Sequence, residues 1–169
     1  MYRFGDDLEL EIVSWGIGMA GEFGHIRISG LEASCHCGKI GCLETVSSGR
    51  AIENVAGKPL QEIIEAARKD DISAIDLLHR AGEKLGEGIA TMIHLFNPDM
   101  VVIGGKIVQA GDLMLVPVQQ AINKYALARM RGHCELKMSN LGVYSAILGT
   151  LMMVMEHLYD DTECEYSLY

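Results

Sequence analysis

Three cysteines and one histidine lie close together near the start of this 169-residue chain, and their chemistry limits how the surrounding segment can fold. Nine, one and four residues separate successive members of the group His25, Cys35, Cys37 and Cys42. Three thiolates and one imidazole form the ligand set of many tetrahedral structural zinc sites. Gly38 and Gly41 allow tight turns between the last two cysteines. The spacing therefore predicts a Zn²⁺ site, and four protein ligands would make it structural rather than hydrolytic.

Other interpretations of this cluster stay open from the sequence alone. The thiols could be a reduced, buried group beside an incidental histidine, or Cys35 and Cys37 could form a redox pair. His36 could in principle replace His25 as the nitrogen ligand, although its position between two ligands would point it away. A disulfide framework is disfavoured, because the chain has five cysteines, an odd number, and two of them stand alone, Cys134 and Cys164.

Two carboxylates flank the cluster. Glu22 lies three residues before His25, and Glu44 lies two residues after Cys42. A metal site that fixes both ends of the loop would hold these side chains near one another, and rigid acceptors of this kind suit the vicinal hydroxyls of a sugar. The alternative is that both glutamates are solvent-exposed and that Glu44 only favours the start of a helix.

The composition is that of a globular protein without the charge needed to bind nucleic acid. Apolar residues make up 49% and charged residues 22% of the chain. Fourteen Lys and Arg against 23 Asp and Glu give a net charge of -9, which predicts no direct nucleic-acid contact by this chain. The longest uncharged apolar stretch, 146–155, is too short to span a membrane, and no secretory signal pattern opens the chain. We therefore expect a cytoplasmic protein without membrane contact.

The pattern of apolar residues predicts an α/β fold class. The clearest element is a helix over 72–96, and glycines inside it would allow another backbone to approach closely. A continuous apolar run predicts a buried strand over 100–103. The other predicted strands cover 8–12, 25–28 and 135–138, and the other predicted helices cover 43–55, 60–68, 117–127 and 144–158. Strands and helices alternate, as they do in α/β domains.

Longer motifs resemble those of a known family. GEFGH at 21–25 and CHCGKIGCLE at 35–44 are similar to the signature of the ROK family of repressors, open reading frames and kinases. The similarity continues through 98–105, 110–112, 139–142 and 146–149, so that it covers most of 15–158. The resemblance extends to NagC/XylR-type regulators and to glucokinase-type sugar kinases. It implies the C-terminal lobe of an actin-like (ribonuclease H-like) ATPase fold with a zinc loop.

The same resemblance assigns roles to individual residues. It implies structural zinc on His25, Cys35, Cys37 and Cys42. It implies a hexose or amino sugar held by Glu22, His25 and Glu44. In the kinases of the family a Gly-Gly turn after a buried strand approaches the nucleotide, and that turn corresponds to Gly104 and Gly105.

Several parts of the family pattern do not occur in this sequence. These are the Asp-x-Gly-Gly-Thr phosphate loop, the Asn-Asp pair whose aspartate is the kinase base, and a winged-helix domain. We expect residues 1–169 to form a single domain, the C-terminal lobe, with the N-terminal nucleotide and catalytic lobe absent. Phosphoryl transfer needs positioned phosphates, a metal and a base, so no catalytic residue is assigned here. ATP and Mg²⁺ are expected as cofactors only if the complete protein is a kinase.

The predicted last helix carries too many apolar residues for one narrow stripe, among them Ile147, Leu148, Leu151, Met152, Val154 and Met155. In the resembled family this helix packs on the N-terminal lobe. An uncovered face predicts self-association into a homo-oligomer. The alternative is a helix fully buried in the core of this lobe.

Three hypotheses for function follow. The leading one is the sugar-sensing, zinc-containing lobe of a ROK-family transcriptional regulator, truncated and not catalytic. The second is the C-terminal lobe of an ATP-dependent hexose kinase of the glucokinase or fructokinase type. The third is a zinc-stabilised domain that only associates with itself or with a partner.

Overall fold

The computed structural model describes residues 21–163, and the side chains of 21–142 and 144–155. The predicted strand at 8–12 and Cys164 lie outside these ranges. The helices are α1 Glu44–Ser47, α2 Gly49–Ala56, α3 Leu60–Ala67, α4 Ile72–Phe96, α5 Asp112–Tyr125, α6 Ala128–Arg131 and α7 Ser145–Glu163. The strands are β1 Met100–Ile103 and β2 Glu135–Met138, and 3-10 turns cover Phe23–His25, Lys106–Ala110 and Gly142–Tyr144.

Helix α4 has the predicted bounds, because local signals fix both of its ends. The Asp71 carboxylate accepts a hydrogen bond from the Ala74 amide at 3.0 Å and caps the first turn. At the other end Asn97 has a left-handed conformation with φ of 43°, and Pro98 follows it. At the C-terminal end of α4 Ile93 is buried, whereas Phe96 is exposed.

Helix α5 packs directly on the glycines of α4. A Cβ atom added at Gly86 would lie 2.4 Å from the carbonyl oxygen of Val118, and one added at Gly82 would lie 2.7 Å from Pro117 Cγ. Both distances are shorter than van der Waals contact, so neither position has room for a side chain. The prediction that these glycines allow close approach of another backbone is confirmed.

Strands β1 and β2 pair in parallel, with Met100 opposite Glu135 and Ile103 opposite Met138. Helices α5 and α6 lie between the two strands in the chain, which gives a β-α-β unit and an α/β fold class. The sequence predicts that β1 is buried along its whole length. This is wrong for Val102, whose side chain is 56% exposed. Ile103 lies in the core and Val101 packs against it, so the alternate residues face away from the helices.

Two other predicted elements differ because tertiary contacts decide them. Residues 25–28 form no strand, since the 3-10 turn Phe23–His25 is followed only by a single antiparallel bridge between Arg27 and Cys42. The helix predicted over 43–55 is broken at Ser48, which has extended φ and ψ of -79° and 152°. The Ser48 hydroxyl instead accepts a hydrogen bond from the Ala51 amide at 3.1 Å and caps α2.

The helix predicted to begin at Pro117 begins five residues earlier, at Asp112. Gly111, with φ of 55°, precedes it, and Pro117 lies buried inside it. Proline inside a helix loses one backbone hydrogen bond. Here its ring fills the space beside Gly82, so the packing with α4 compensates.

Helix α7 presents apolar side chains to solvent. Ile147 is 67% exposed, and Leu151 and Met152 are each 55% exposed. The other large apolar side chains described in α7 are exposed to smaller degrees: Leu148, Met153, Val154 and Met155. The alternative of a fully buried last helix is therefore wrong for the side chains described in α7. Homo-oligomer formation through this face stays a prediction.

Across residues 21–163, no helix combines the length and apolar character needed to cross a membrane.

Candidate functional site

The segment from Arg27 to Cys42 folds back on itself so that its two ends lie side by side. Arg27 pairs with Cys42 in an antiparallel bridge, and Ser34 pairs with Ile40 in a second one. The Leu43 amide also donates to a carbonyl on the opposite side of the loop, at 2.9 Å. These backbone contacts bring the first and last predicted metal ligands together although 16 positions separate them.

Glycines make the tight path of this loop possible. Gly38 and Gly41 have φ of 84° and 81°, in the region that favours glycine. A Cβ atom at Gly41 would also lie 2.6 Å from the Leu31 carbonyl oxygen. The Cys35 amide donates to the Lys39 carbonyl at 2.8 Å, which closes the tip of the loop.

The side chains of the four predicted ligands converge, with their sulfur and nitrogen atoms all within 4.8 Å of one another: His25, Cys35, Cys37 and Cys42. Cys35 Sγ lies 3.6 Å from His25 Nδ1, and Cys37 Sγ lies 3.6 Å from Cys42 Sγ. Around a tetrahedral zinc ion, bond lengths of about 2.3 Å to sulfur and about 2.0 Å to nitrogen give ligand separations of about 3.5–3.8 Å. The residues present fit such an ion.

His36 lies outside this group of four. Its Nδ1 atom is 2.7 Å from Glu44 Oε1, and it forms a second, more exposed group with His25 and Glu44. Sequence reasoning missed this contact. The expectation that its position between two ligands would point His36 away from the cluster is not met, because His36 Nδ1 also lies 3.8 Å from Cys35 Sγ.

The three thiols of the cluster differ in acidity. The Cys37 backbone lowers the pKa of Cys35, but the hydrogen bond to Glu44, together with burial, raises that pKa to about 12. A backbone hydrogen bond at Lys39 lowers the pKa of Cys37, whereas burial raises the pKa of Cys42. The hydrogen bond from Cys35 lowers the pKa of the Glu44 carboxyl. A bound cation would replace the thiol protons, since cysteine binds zinc as the thiolate.

The two flanking glutamates meet at the His25 imidazole. Glu22 Oε2 lies 3.7 Å from His25 Nε2, and Glu44 Oε1 lies 3.9 Å from His25 Nδ1. Glu44 also accepts a hydrogen bond from the Cys35 thiol at 2.9 Å. Gly24 lies against Glu44, because a Cβ atom there would be 3.4 Å from Glu44 Cβ. The structure thus brings together all three residues that the sequence assigned to a sugar.

An open cleft of about 550 Å³ lies beside Glu44. One wall is the loop with His36, and the other is the start of α2 with Ser48 and Arg50. Polar and apolar groups both line it and it opens to solvent, so it is accessible to a hydrophilic ligand of the size of a sugar.

Gly104 and Gly105 lie in a different part of the fold, where β1 ends. Gly105 has φ of 82°, and a Cβ atom at Gly104 would lie 3.4 Å from Ser145 Oγ at the start of α7. The Ser139 amide after β2 donates to the Ile103 carbonyl at 2.8 Å, so both strands end at this edge. Ligands of parallel α/β sheets bind beyond the carboxyl ends of the strands.

Comparison with known proteins identifies the family. The sequence pattern of the ROK family matches residues 10–157. The chain belongs to the ROK family. The transcriptional dual regulator NagC of Escherichia coli K12 is 37% identical over 145 residues, 77% of this chain and 36% of that protein. A glucokinase from Halalkalibacterium halodurans is 34% identical over 153 residues, 78% of this chain and 46% of that protein.

A solved structure gives the same result for the fold. The ROK family glucokinase from Streptomyces griseus, in complex with glucose and AMPPNP, has a TM-score of 0.67 and 30% identity, covering 75% of this chain and 48% of that one. The predicted family and its α/β fold are confirmed. This ROK chain spans less than half the length of these relatives, and they include both regulators and kinases.

Proposed function

We propose that this ROK chain is the zinc-containing, sugar-sensing lobe of a transcriptional regulator, and that it is not catalytic by itself. The main support is one imidazole, His25, that faces the sulfur cluster on one edge and a carboxylate on the other. The sensing role is supported by 37% identity to the DNA-binding regulator NagC and by the same identity to the N-acetylglucosamine repressor of Escherichia coli O6:H1.

The metal would be held by His25 Nδ1 and the thiolates of Cys35, Cys37 and Cys42. Its role there is to cross-link the loop and to supply folding free energy, because four protein ligands leave no open position for water. A metal on Nδ1 fixes the imidazole tautomer, so His25 Nε2 carries a proton and can donate it in a hydrogen bond.

The polar atoms around His25 can bind adjacent sugar hydroxyls. Glu22 and Glu44 would accept from two hydroxyl groups, while His25 Nε2 donates to a hydroxyl oxygen. A ligated Cys35 thiolate has no proton to donate, so Glu44 Oε1 then keeps its contact with His36 Nδ1 at 2.7 Å and can accept from a hydroxyl group with its second lone pair. Three polar groups that contact adjacent hydroxyls fix the orientation of the sugar and also contribute to its affinity.

Replacing Glu44 by glutamine is expected to weaken sugar binding by about 10- to 100-fold, since hydrogen bonds to charged groups contribute about 1.5–3 kcal/mol. We expect the unchanged protein to bind glucose, N-acetylglucosamine or xylose only at about millimolar concentrations, because the chain provides part of the relatives' length. NMR titration of the zinc-loaded protein with each sugar measures this affinity.

The matched control is Glu62→Gln, which removes the charge of an exposed glutamate on α3. It should leave the sugar titration unchanged. Equal sugar affinity in Glu44→Gln and the unchanged protein would remove Glu44 from the site. Micromolar binding would instead mean that these residues already form a complete sugar site.

A second candidate function is the C-terminal lobe of an ATP-dependent ROK sugar kinase. Two observations favour it: the 34% identity to a glucokinase, and the Gly104-Gly105 turn at the carboxyl end of β1. Backbone N–H groups at such a turn can approach a nucleotide without side-chain obstruction.

A coupled ATP assay tests whether this chain is catalytic by itself. With glucose, fructose and N-acetylglucosamine as substrates and Mg²⁺ present, we expect no ADP formation above the rate without sugar. The reason is that the sequence has no Asp-x-Gly-Gly-Thr phosphate loop or Asn-Asp pair to supply the phosphate contacts and the base. Sugar-dependent turnover would favour the kinase and contradict the regulator proposal.

A further inference from the structure

The four ligands of the candidate metal centre are not equivalent in exposure or in contacts. Cys37 is exposed, whereas Cys35 and Cys42 are buried. The Cys35 sulfur donates to Glu44 Oε1 at 2.9 Å and lies 3.6 Å from His25 Nδ1. The Cys37 sulfur lies 3.6 Å from the Cys42 sulfur. The cluster therefore contains one accessible sulfur in contact with one protected sulfur.

We propose that Cys37 is a site of oxidation by peroxides, and that it forms a disulfide with Cys42 that releases the metal. This inference rests on the proposed zinc centre and adds a modification site to it. Closing the bond from 3.6 Å to about 2.05 Å needs a movement of about 1.5 Å. The four intervening residues include Gly38 and Gly41, whose left-handed backbone already turns the chain back at this point.

The exposure pattern sets the order of events. A small oxidant such as hydrogen peroxide reaches Cys37 first, because Cys42 has only 1% of its surface exposed. The Cys37 thiolate attacks one peroxide oxygen and becomes a sulfenic acid, and hydroxide leaves. The Cys42 thiolate then attacks the Cys37 sulfur and displaces a second hydroxide.

The balance of this sequence is two thiolates and one hydrogen peroxide giving one disulfide and two hydroxide ions. The two sulfurs lose two electrons in total, and the peroxide gains them. A disulfide sulfur carries no negative charge, so the cation keeps only His25 and Cys35 as ligands. Two ligands cannot complete a tetrahedral zinc site, and the metal is therefore released.

Cys42 rather than Cys35 is expected to form this bond, because the Cys42 sulfur lies 3.6 Å from the Cys37 sulfur and the Cys35 sulfur contacts His25 Nδ1 at 3.6 Å. The proposal therefore pairs Cys37 with Cys42, whereas the alternative left open by the sequence pairs Cys35 with Cys37. Cys134, which lies next to β2, is outside the cluster and serves as a control.

The experiment treats the zinc-loaded chain with hydrogen peroxide and follows zinc release with a chromogenic chelator. In parallel, the thiols are blocked and the protein is digested with trypsin without reduction. Lys39 lies between the two cysteines, so cleavage after Arg27, Lys39 and Arg50 gives peptides 28–39 and 40–50. These peptides stay linked only by a disulfide to Cys42, and fragmentation identifies its partner as Cys37 or Cys35.

The expected result is two thiols lost for each zinc released, a Cys37–Cys42 linked peptide, and recovery of zinc binding after dithiothreitol and added zinc. Cys134→Ser should behave like the unchanged protein. A Cys35–Cys37 bond, zinc release with sulfinic acid and no linked peptides, or full zinc retention would each overturn the proposal.

The outcome also separates this proposal from the proposed zinc centre. If the chain binds no zinc at all, the zinc centre fails, and the peptide assay is then carried out on the same protein without zinc. Linked peptides in that assay support the Cys37–Cys42 pair, and unlinked peptides overturn it.

Discussion

Replacing Cys37 by serine is expected to abolish zinc binding and to unfold the loop between Arg27 and Cys42. Structural zinc contributes apparent binding free energies of about 10–16 kcal/mol, and this binding is coupled to folding. The loop has little else to stabilise it, because most of its side chains from Ser29 to Ile40 are exposed. Metal analysis should fall from about one zinc per chain toward none.

The position of Cys37 makes this experiment specific for coordination. Because its side chain is exposed, serine at this position removes a ligand without leaving a cavity in the core. Limited trypsin digestion measures the loop: the Lys39 side chain is already exposed, but its carbonyl accepts from the Cys35 amide at 2.8 Å, and cleavage should become faster when this contact is lost. Helices α4 and α5 pack on each other, and the loop contacts α4 at its surface, where Lys84 Nζ donates to the Ser29 carbonyl at 3.4 Å, so the far-UV circular dichroism should change little.

Cys134→Ser is the matched control, because it also exchanges a thiol for a hydroxyl but lies outside the cluster. It should retain zinc and the protected loop. A zinc-free yet well-folded loop in the unchanged protein would contradict the metal centre itself. Normal zinc content in Cys37→Ser would remove only this residue from the ligand set.

The elements that sequence predicts well are those with local signals. Helix α4 is an example, because its cap at Asp71, its apolar period and the turn at Asn97-Pro98 all lie within or beside it. The break at Ser48 has no comparable signal. A serine there is compatible with a continuous helix until the hydrogen bond to the Ala51 amide is known.

The same distinction applies to the site. The Cys and His spacing predicts a common centre because few other chemical reasons bring these residue types together, and the structure brings their ligand atoms within 4.8 Å. The contact between His36 and Glu44 depends on how residues 27–42 fold back, and no spacing rule contains that information. Nor does the sequence reveal that Cys37 is exposed while Cys42 is buried.

The close contact between α4 and α5 leads to the second large effect. Gly86→Ala is expected to lower the free energy of unfolding by about 2 kcal/mol, the net of an overpacking cost of about 3 kcal/mol, the upper end of its range, and the opposing gain in helix propensity. The added Cβ would lie 2.4 Å from the Val118 carbonyl oxygen and 2.6 Å from Ala121 Cβ, and a backbone atom moves only if α5 moves. A gain of about 1 kcal/mol in helix propensity opposes this loss and is already included. Thermal unfolding should shift down by about 4–8 °C.

Gly149→Ala separates packing from propensity, because it is also a glycine to alanine change inside a helix. A Cβ atom at Gly149 meets nothing within 4 Å, so only the propensity gain of up to about 1 kcal/mol remains and the stability should be equal or higher. Opposite signs for the two substitutions are therefore expected from the same chemical change. An increase in stability for Gly86→Ala would mean that α4 and α5 are further apart than described. The glycines of α4 would then not fix the position of α5, the helix that connects β1 with β2.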